Sequence, residues 1–103
     1  MIHVVAIITA KPGMRASVLE AFRANIPAVR AEDGCIEYGP AVDAEGLGGF
    51  QTKFGADAFV VIEKWRDVAA LKAHAGAPHM AAYGTQVKDM LASRVVHVLS
   101  PAA

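Results

Sequence analysis

The sequence predicts one α+β domain whose elements follow the order strand, helix, strand, strand, helix, strand. A near-continuous apolar run over residues 2–9 is typical of a strand covered on both faces. Apolar residues then recur at helical spacing over residues 14–30, and two further strand-like runs occupy residues 35–42 and 59–66. A second helical stretch and a last apolar run follow. At 103 residues, the chain has the length of a single domain.

The first helix is predicted because apolar side chains recur every three or four residues and so form one stripe. The stripe consists of Met14, Val18, Leu19, Phe22, Ile26 and Val29. Pro27 lies inside this stretch, so we expect the last turn to kink or restart there. Gly34 follows the helix and is available for a left-handed cap.

A long segment, residues 43–58, separates the second and third strands. Residues 44–49 are rich in glycine and predict a loop, whereas Gly55 and Asp57 disfavour a strand over residues 50–58. Phe50 and Phe54 need somewhere to bury their rings. The segment is therefore expected to cover a pocket mouth or to contact a neighbouring subunit.

The second helical stretch begins after Asp67, a good N-cap for residues 68–74. Gly76 and Pro78 interrupt it, and a further helix is predicted over residues 78–92 with proline at its first position. Residues 94–99 form the last predicted strand.

This order predicts a ferredoxin-like fold, an antiparallel four-stranded sheet with helices on one face. The strands are apolar on both faces, although the helices can cover only one. The other face is expected to pack against a second copy of the chain, which predicts a homodimer. The apolar fraction of 54% also favours an oligomer, because a short chain cannot bury so much apolar surface alone.

Composition argues against several classes of function. The formal net charge is zero and no basic run exists, so nucleic acid is not an expected partner. No apolar run approaches the ~20 residues of a membrane span, and the N-terminus lacks the charged region of a signal peptide. The single cysteine, Cys35, allows no internal disulfide and suits a cytoplasmic location.

The third strand carries the chemistry, because a carboxylate and the only tryptophan share its face. Side chains alternate along a strand, so Glu63 and Trp65 point one way and Val60 and Ile62 the other. A glutamate in an apolar setting has a raised pKa, which suggests a small-molecule site. The structural alternative is a strand end, where the tryptophan packs and the glutamate reaches water.

His3 and His97 are a candidate pair of metal ligands, because the predicted sheet places them across from each other on the first and last strands. Two histidines without a carboxylate make a poor site. An ordinary cross-strand pair is the favoured interpretation, and no metal is expected.

Four short motifs lie in order along the chain: residues 32–38 (EDGCIEY), 63–65 (EKW), 70–74 (ALKAH) and 77–80 (APHM). Together they resemble the antibiotic-biosynthesis monooxygenase (ABM) family of dimeric α+β barrels, and most closely its quinol-monooxygenase-like bacterial members. The resemblance implies a monooxygenase without metal or flavin that acts on a small aromatic, a quinol or an anthrone-like substrate. In that chemistry the substrate loses a proton and its anion passes an electron to O₂.

The resemblance also implies roles for particular side chains. His74 or His79 would be the base, and Glu63 would orient a histidine or take the proton itself. The other predicted substrate-binding residues are Trp65 as a stacking wall, Tyr38 and Tyr83 as hydrogen-bond donors, and Phe54. A core-packing role remains the alternative for Trp65 and Tyr38.

Two departures from the family leave other functions open. The anthrone-oxygenase members have an asparagine four residues before the tryptophan, where this chain has Val61. The haem-degrading members have an asparagine in the first strand, whereas the only asparagine here is Asn25 in the first helix. Neither asparagine-dependent mechanism carries over intact, so a non-catalytic small-molecule binder and a haem-binding or haem-degrading protein stay as alternatives.

Overall fold

A computed structural model that describes residues 1–103 contains four strands and three α-helices. Their order and bounds are β1 (Ile2–Ala10), α1 (Arg15–Arg30), β2 (Cys35–Ala41), β3 (Ala58–Trp65), α2 (Val68–Ala75), α3 (Pro78–Val87) and β4 (Leu91–Leu99). The predicted α+β order is confirmed, with the second helical stretch divided in two. None of the helices is long and apolar enough to cross a membrane.

The strands form one antiparallel sheet in the order β2-β3-β1-β4. This is the predicted ferredoxin-like arrangement, in which β1 is central and pairs with both β3 and β4. Alternate residues of β1, from Ile2 to Ala10, are buried beneath the helices, and those between them are only partly covered. The helices therefore cover one face of the sheet and leave the other open within a single chain.

Helix α1 anchors the helical layer through Phe22. The ring of Phe22 stacks on Tyr38 at a centroid distance of 5.2 Å and meets Phe59 and Tyr83 edge-on at 5.7 and 6.0 Å. Such aromatic pairs contribute about 0.5–1.5 kcal/mol each beyond the area that they bury. This cluster ties α1 and α3 to strands β2 and β3, and so fixes one end of the space between helices and sheet.

Two features of α1 can be compared with the sequence. The helix does not restart at Pro27, because it continues to Arg30 and the Pro27 carbonyl still accepts a hydrogen bond from Ala31 at 3.1 Å. The predicted kink at Pro27 stays a prediction. Proline removes its own N–H but leaves its carbonyl available. The left-handed conformation of Gly34 is confirmed, with φ at 85°.

The last helix ends earlier than predicted, and the last strand begins earlier. Helix α3 ends at Val87, a 3₁₀ turn covers Lys88–Met90, and β4 begins at Leu91. The backbone N–H of Lys11 donates to the Met90 carbonyl at 2.8 Å, and Leu91 pairs with Ala10. Pairing with the central strand therefore takes residues 91 and 92 from the predicted helix.

The caps at the other helix starts are as predicted. The Asp67 carboxylate accepts a hydrogen bond from the Ala70 N–H at 2.8 Å, and Pro78 occupies the first turn of α3.

His3 and His97 are not directly opposite, since His3 pairs with Leu99 and His97 pairs with Val5. The predicted cross-strand histidine pair is therefore wrong by a two-residue offset.

We expect Gly34→Ala to destabilise the protein more than Gly13→Ala does. Both glycines have φ near 80°, at 85° and 77°, so each alanine costs about 1–2 kcal/mol of backbone strain. A Cβ at Gly34 would lie 2.6 Å from the Cβ of Ala70, whereas a Cβ at Gly13 meets no atom within 4 Å. The clash adds a further ~1–3 kcal/mol. Denaturant unfolding of both variants checks this, and equal losses would show that Ala70 moves away freely.

Candidate functional site

A cavity of about 630 Å³ lies between the sheet and helices α2 and α3. Most of its lining is apolar and includes Val4, Met80, Val96 and Val98. Its polar side chains come from the sheet, from both helices and from the turn after α3: Glu63, His74, Tyr83, Lys88 and Arg94. An apolar cavity with a few convergent polar groups is the usual form of a small-molecule site.

The cavity exists because the helices leave β4 uncovered. Arg94, Val96 and Val98 lie opposite Ile8, Ala6 and Val4 of β1, and so they share the helix-facing side of the sheet. The residues of β1 on that side are buried, whereas those of β4 are exposed. The edge strand thus supplies an apolar wall that no part of the same chain covers.

Glu63 lines the cavity from the sheet side. In the sheet it pairs with Tyr38 on one side and Val4 on the other. Burial raises the pKa of Glu63, while its hydrogen bond from Trp65 and the nearby His74 and Arg94 partly oppose that rise. A carboxyl group of this kind can hold a proton at higher pH than glutamate usually does.

Trp65 lies outside the cavity and contacts two of the side chains that line it. Its side chain is 0% exposed and does not line the cavity, so the predicted stacking wall is not found there. Instead, Nε1 of Trp65 donates to Oε1 of Glu63 at 2.8 Å, and the indole lies 4.5 Å from the His74 ring, tilted by 33°. Trp65 therefore fixes the positions of Glu63 and His74.

His74 is held by a second carboxylate, Glu32, which follows α1. Nδ1 of His74 lies 2.7 Å from Oε2 of Glu32, and Nε2 lies 3.8 Å from Oε1 of Glu63. The Glu32 carboxylate accepts a hydrogen bond from Nδ1–H, which in a neutral imidazole leaves Nε2 without a proton and on the side of Glu63. His79 also reaches Glu32, with Nε2 at 3.0 Å from the same oxygen.

The structure brings only some of the predicted site residues together. Glu63, His74 and Tyr83 line the cavity. Tyr38 is buried beside it, with its ring 5.5 Å from the His74 ring, and His79 lines a separate surface depression. Burial raises the pKa of Tyr38 well above its usual range and that of Tyr83 to about 12, so both hydroxyls keep their protons and can donate.

The segment over residues 43–58 does not reach the cavity. The Asp43 carboxylate closes it by accepting hydrogen bonds from the N–H groups of Phe54 and Gly55 at 3.0 and 2.8 Å. Phe50 is 90% exposed and Phe54 is 56% exposed, and neither lines the cavity. The predicted contact with the pocket mouth is therefore not found, and contact with a neighbouring subunit stays a prediction.

Sequence reasoning missed Glu32 and Arg94. The motif over residues 32–38 includes Glu32 but assigns it no role, and its partners lie 42 and 47 residues further along the chain. Arg94 was placed at the start of the last strand without a role. It is the only lysine or arginine within residues 91–99, and this lone charge on an apolar strand was the available signal.

We expect Glu63→Gln to stabilise the protein relative to wild type by an amount that grows as pH rises. Because the folded-state pKa of Glu63 is raised, the unfolded chain ionises first, above about pH 4.3, and wild-type stability falls until the folded-state pKa is passed. Glutamine cannot ionise and still accepts the Trp65 hydrogen bond. Denaturant midpoints from pH 4 to neutrality measure the difference, with Glu20→Gln on exposed helix surface as the control for charge removal. A difference independent of pH would contradict the prediction.

The chain matches the model of one protein family over most of its length. The model of the family described as "Antibiotic biosynthesis monooxygenase" matches residues 1–86. A protein from Escherichia coli strain K12 named "Probable quinol monooxygenase YgiN" is 38% identical over 103 residues, which cover 98% of each chain.

Two solved structures show the same fold. That of Rv0793 from Mycobacterium tuberculosis has a TM-score of 0.80 and 31% identity, and the match covers 99% of this chain and 95% of that one. That of PA3566 from Pseudomonas aeruginosa has a TM-score of 0.82 and 28% identity, with 99% and 94% covered.

Proposed function

Because this chain belongs to the antibiotic biosynthesis monooxygenase family, we propose that it oxidises a small, electron-rich aromatic substrate of the quinol class, without metal or flavin. The observation that carries the proposal is the cavity of about 630 Å³ in which an imidazole from α2 and a carboxylate from β3 meet within a mostly apolar lining. A flat aromatic ring fits apolar lining, and its hydroxyl needs a proton acceptor. The name of the Escherichia coli relative supports the quinol class.

His74 is the proposed base. Its bond to Glu32 leaves Nε2 as the acceptor, and Trp65 packs against the ring and restrains it. A histidine oriented by a carboxylate is a common way to position a general base. Glu63, 3.8 Å from Nε2, is placed to receive the proton or to stabilise the imidazolium that forms.

Arg94 and Tyr83 are proposed to stabilise the quinolate. Both line the cavity, and Arg94 brings a permanent positive charge to an otherwise apolar wall. An anion formed in a mostly apolar cavity is stabilised mainly by donors that are already in place. The quinolate oxygen would therefore lie between His74, which takes its proton, and these two donors.

The overall reaction consumes one quinol and one O₂ and yields one hydroxyquinone and one water. The quinolate passes one electron to O₂, and the resulting radical and superoxide combine to form a C–O bond. Cleavage of the O–O bond leaves one oxygen atom on the ring and releases the other as water. Substrate carbon supplies all four electrons that reduce O₂, and the protein supplies only proton transfer and charge stabilisation.

Oxygen uptake with a panel of quinols and anthrones tests the proposal. Under ¹⁸O₂, we expect the product to gain one labelled oxygen atom and the water to carry the other. Uptake without label in the product, with hydrogen peroxide formed instead, would show an oxidase. Tight quinone binding without uptake above the uncatalysed rate would identify a binding protein.

We also propose that the protein works as a homodimer joined through the open face of the sheet. That face carries apolar side chains that remain exposed in one chain, including Ile62, Val95 and Leu99. Burial of such surface is the main favourable term in protein association. Phe50, which projects from the 43–58 segment, is also a candidate for contact with the second subunit.

A further inference from the structure

We infer that Glu32, His74 and His79 form a binding site for a divalent transition-metal ion of the Zn²⁺ type. The three side chains come from separate elements: the end of α1, the last turn of α2 and the first turn of α3. One ligand atom from each, Oε2 of Glu32, Nδ1 of His74 and Nε2 of His79, lies within 4.8 Å of the other two. Two imidazoles and one carboxylate are a recurrent protein ligand set for Zn²⁺ that leaves a position open.

The spacing of these atoms is close to that of a metal site. The carboxylate oxygen is 2.7 Å from one imidazole nitrogen and 3.0 Å from the other. Ligands about 2.1 Å from a tetrahedral ion are about 3.4 Å apart, so a shift of roughly half an ångström admits the ion. The ion would replace the two protons that now bridge the carboxylate and the imidazoles.

The charge of the cluster also favours a cation. Glu32 has a side chain that is 14% exposed, and its ion-pair partners are only the two histidines. The nearby arginine, Arg66, is bound to Asp33 and Asp67 instead. No lysine or arginine therefore competes with a cation for the Glu32 carboxylate.

The surroundings supply support and access. Nε2 of His74 faces Glu63, and a carboxylate on the far nitrogen of a metal-bound histidine orients the ring. With Nδ1 on the ion, Nε2 keeps its proton, so the metal-bound protein would lack the proposed base and oxidise quinols more slowly. Glu32 and Asp33 line a surface depression beside the cluster, which gives an ion a route from solvent. Two nitrogen ligands favour Zn²⁺, Co²⁺ or Ni²⁺ over Mg²⁺ and Ca²⁺, which prefer oxygen.

Titration of the full-length, tag-free, chelator-treated protein tests the site. We expect one Zn²⁺ per chain by calorimetry, Co²⁺ visible absorption bands typical of nitrogen and oxygen ligands, and no saturable binding of Mg²⁺. The variant His79→Ala removes a half-exposed ligand, so it should fold. Loss of an outer-shell partner alone costs about 10- to 100-fold in metal affinity, so loss of this direct ligand is expected to cost at least about 100-fold.

Two further variants are needed: Glu32→Gln alters a second ligand, and His97→Ala is the control. Glu32→Gln should weaken Zn²⁺ binding as strongly as His79→Ala, whereas His97→Ala, on the opposite face of the sheet, should leave it unchanged. Zn²⁺ should raise the unfolding temperature of wild type and of His97→Ala but not that of His79→Ala. Zn²⁺ affinity that survives in His79→Ala, or that is lost in His97→Ala, would overturn the inference, as would the absence of saturable binding by wild type.

Discussion

Replacing His74 with alanine is expected to lower kcat for quinol oxidation by about 100-fold or more, the usual range for loss of a general base. His74 is the only imidazole that lines the cavity, and Glu32 and Trp65 hold its ring in place. The remaining activity should rise with pH, because hydroxide and the quinolate itself then replace the missing base. Steady-state oxygen uptake across pH measures both effects.

Controls must separate loss of the base from loss of the fold, since His74 is buried. His74→Gln keeps a polar side chain of similar size and should fold, but it cannot accept the proton at neutral pH. His97→Ala removes an exposed imidazole from the other face of the sheet and should keep wild-type kcat. A folded His74→Gln protein with kcat within threefold of wild type would exclude His74 as the base.

Replacing Ile62 with lysine is expected to convert the proposed dimer into a monomer. Ile62 lies on the open face of the sheet and is 41% exposed in the single chain. If that face packs against a second sheet, the substitution places an unpaired charge in an apolar interface, which costs several kcal/mol. Each 1.4 kcal/mol is about tenfold in Kd, so dimer dissociation should increase by about a thousandfold or more.

Sedimentation velocity at micromolar concentration measures this change. Ser17→Lys on the exposed side of α1 adds the same charge away from the sheet and should leave the dimer intact. A wild-type protein that sediments as a stable, folded monomer would contradict the dimer itself. A dimer that survives Ile62→Lys would place the interface elsewhere.

Local pattern determined which side chains face the helices. Period-two alternation along β3 correctly separated Glu63 and Trp65 from Ile62, because a strand allows its side chains only two directions. Helical spacing likewise identified the buried stripe of α1, and Asp67 and Pro78 marked helix starts through their backbone chemistry. These features depend on neighbours within a few residues, so the sequence shows them directly.

Local sequence pattern gave wrong predictions where the backbone pairs with a strand that is distant in the sequence. The helix predicted to continue past Val87 ends there because Leu91 pairs with the central strand near Ala10. Period-two alternation by itself puts Ile36 and Tyr38 on one face of β2, but the ladder shifts register between Cys35 and Glu37, which leaves Ile36 exposed while Tyr38 is buried. In both places strand pairing overrode the local preference.

The sequence by itself determined the α+β order, the helix-facing position of Glu63 and the family resemblance. Only the tertiary structure decided that Trp65 lies behind the cavity, that Arg94 lines it, and that Glu32 joins His74 and His79. The physical reason is distance along the chain: Glu32 meets these histidines because α1 ends beside the break between α2 and α3. That meeting depends on how the helices pack over the sheet. The short motifs contain the three residues, but their spacing along the chain does not show that the side chains meet.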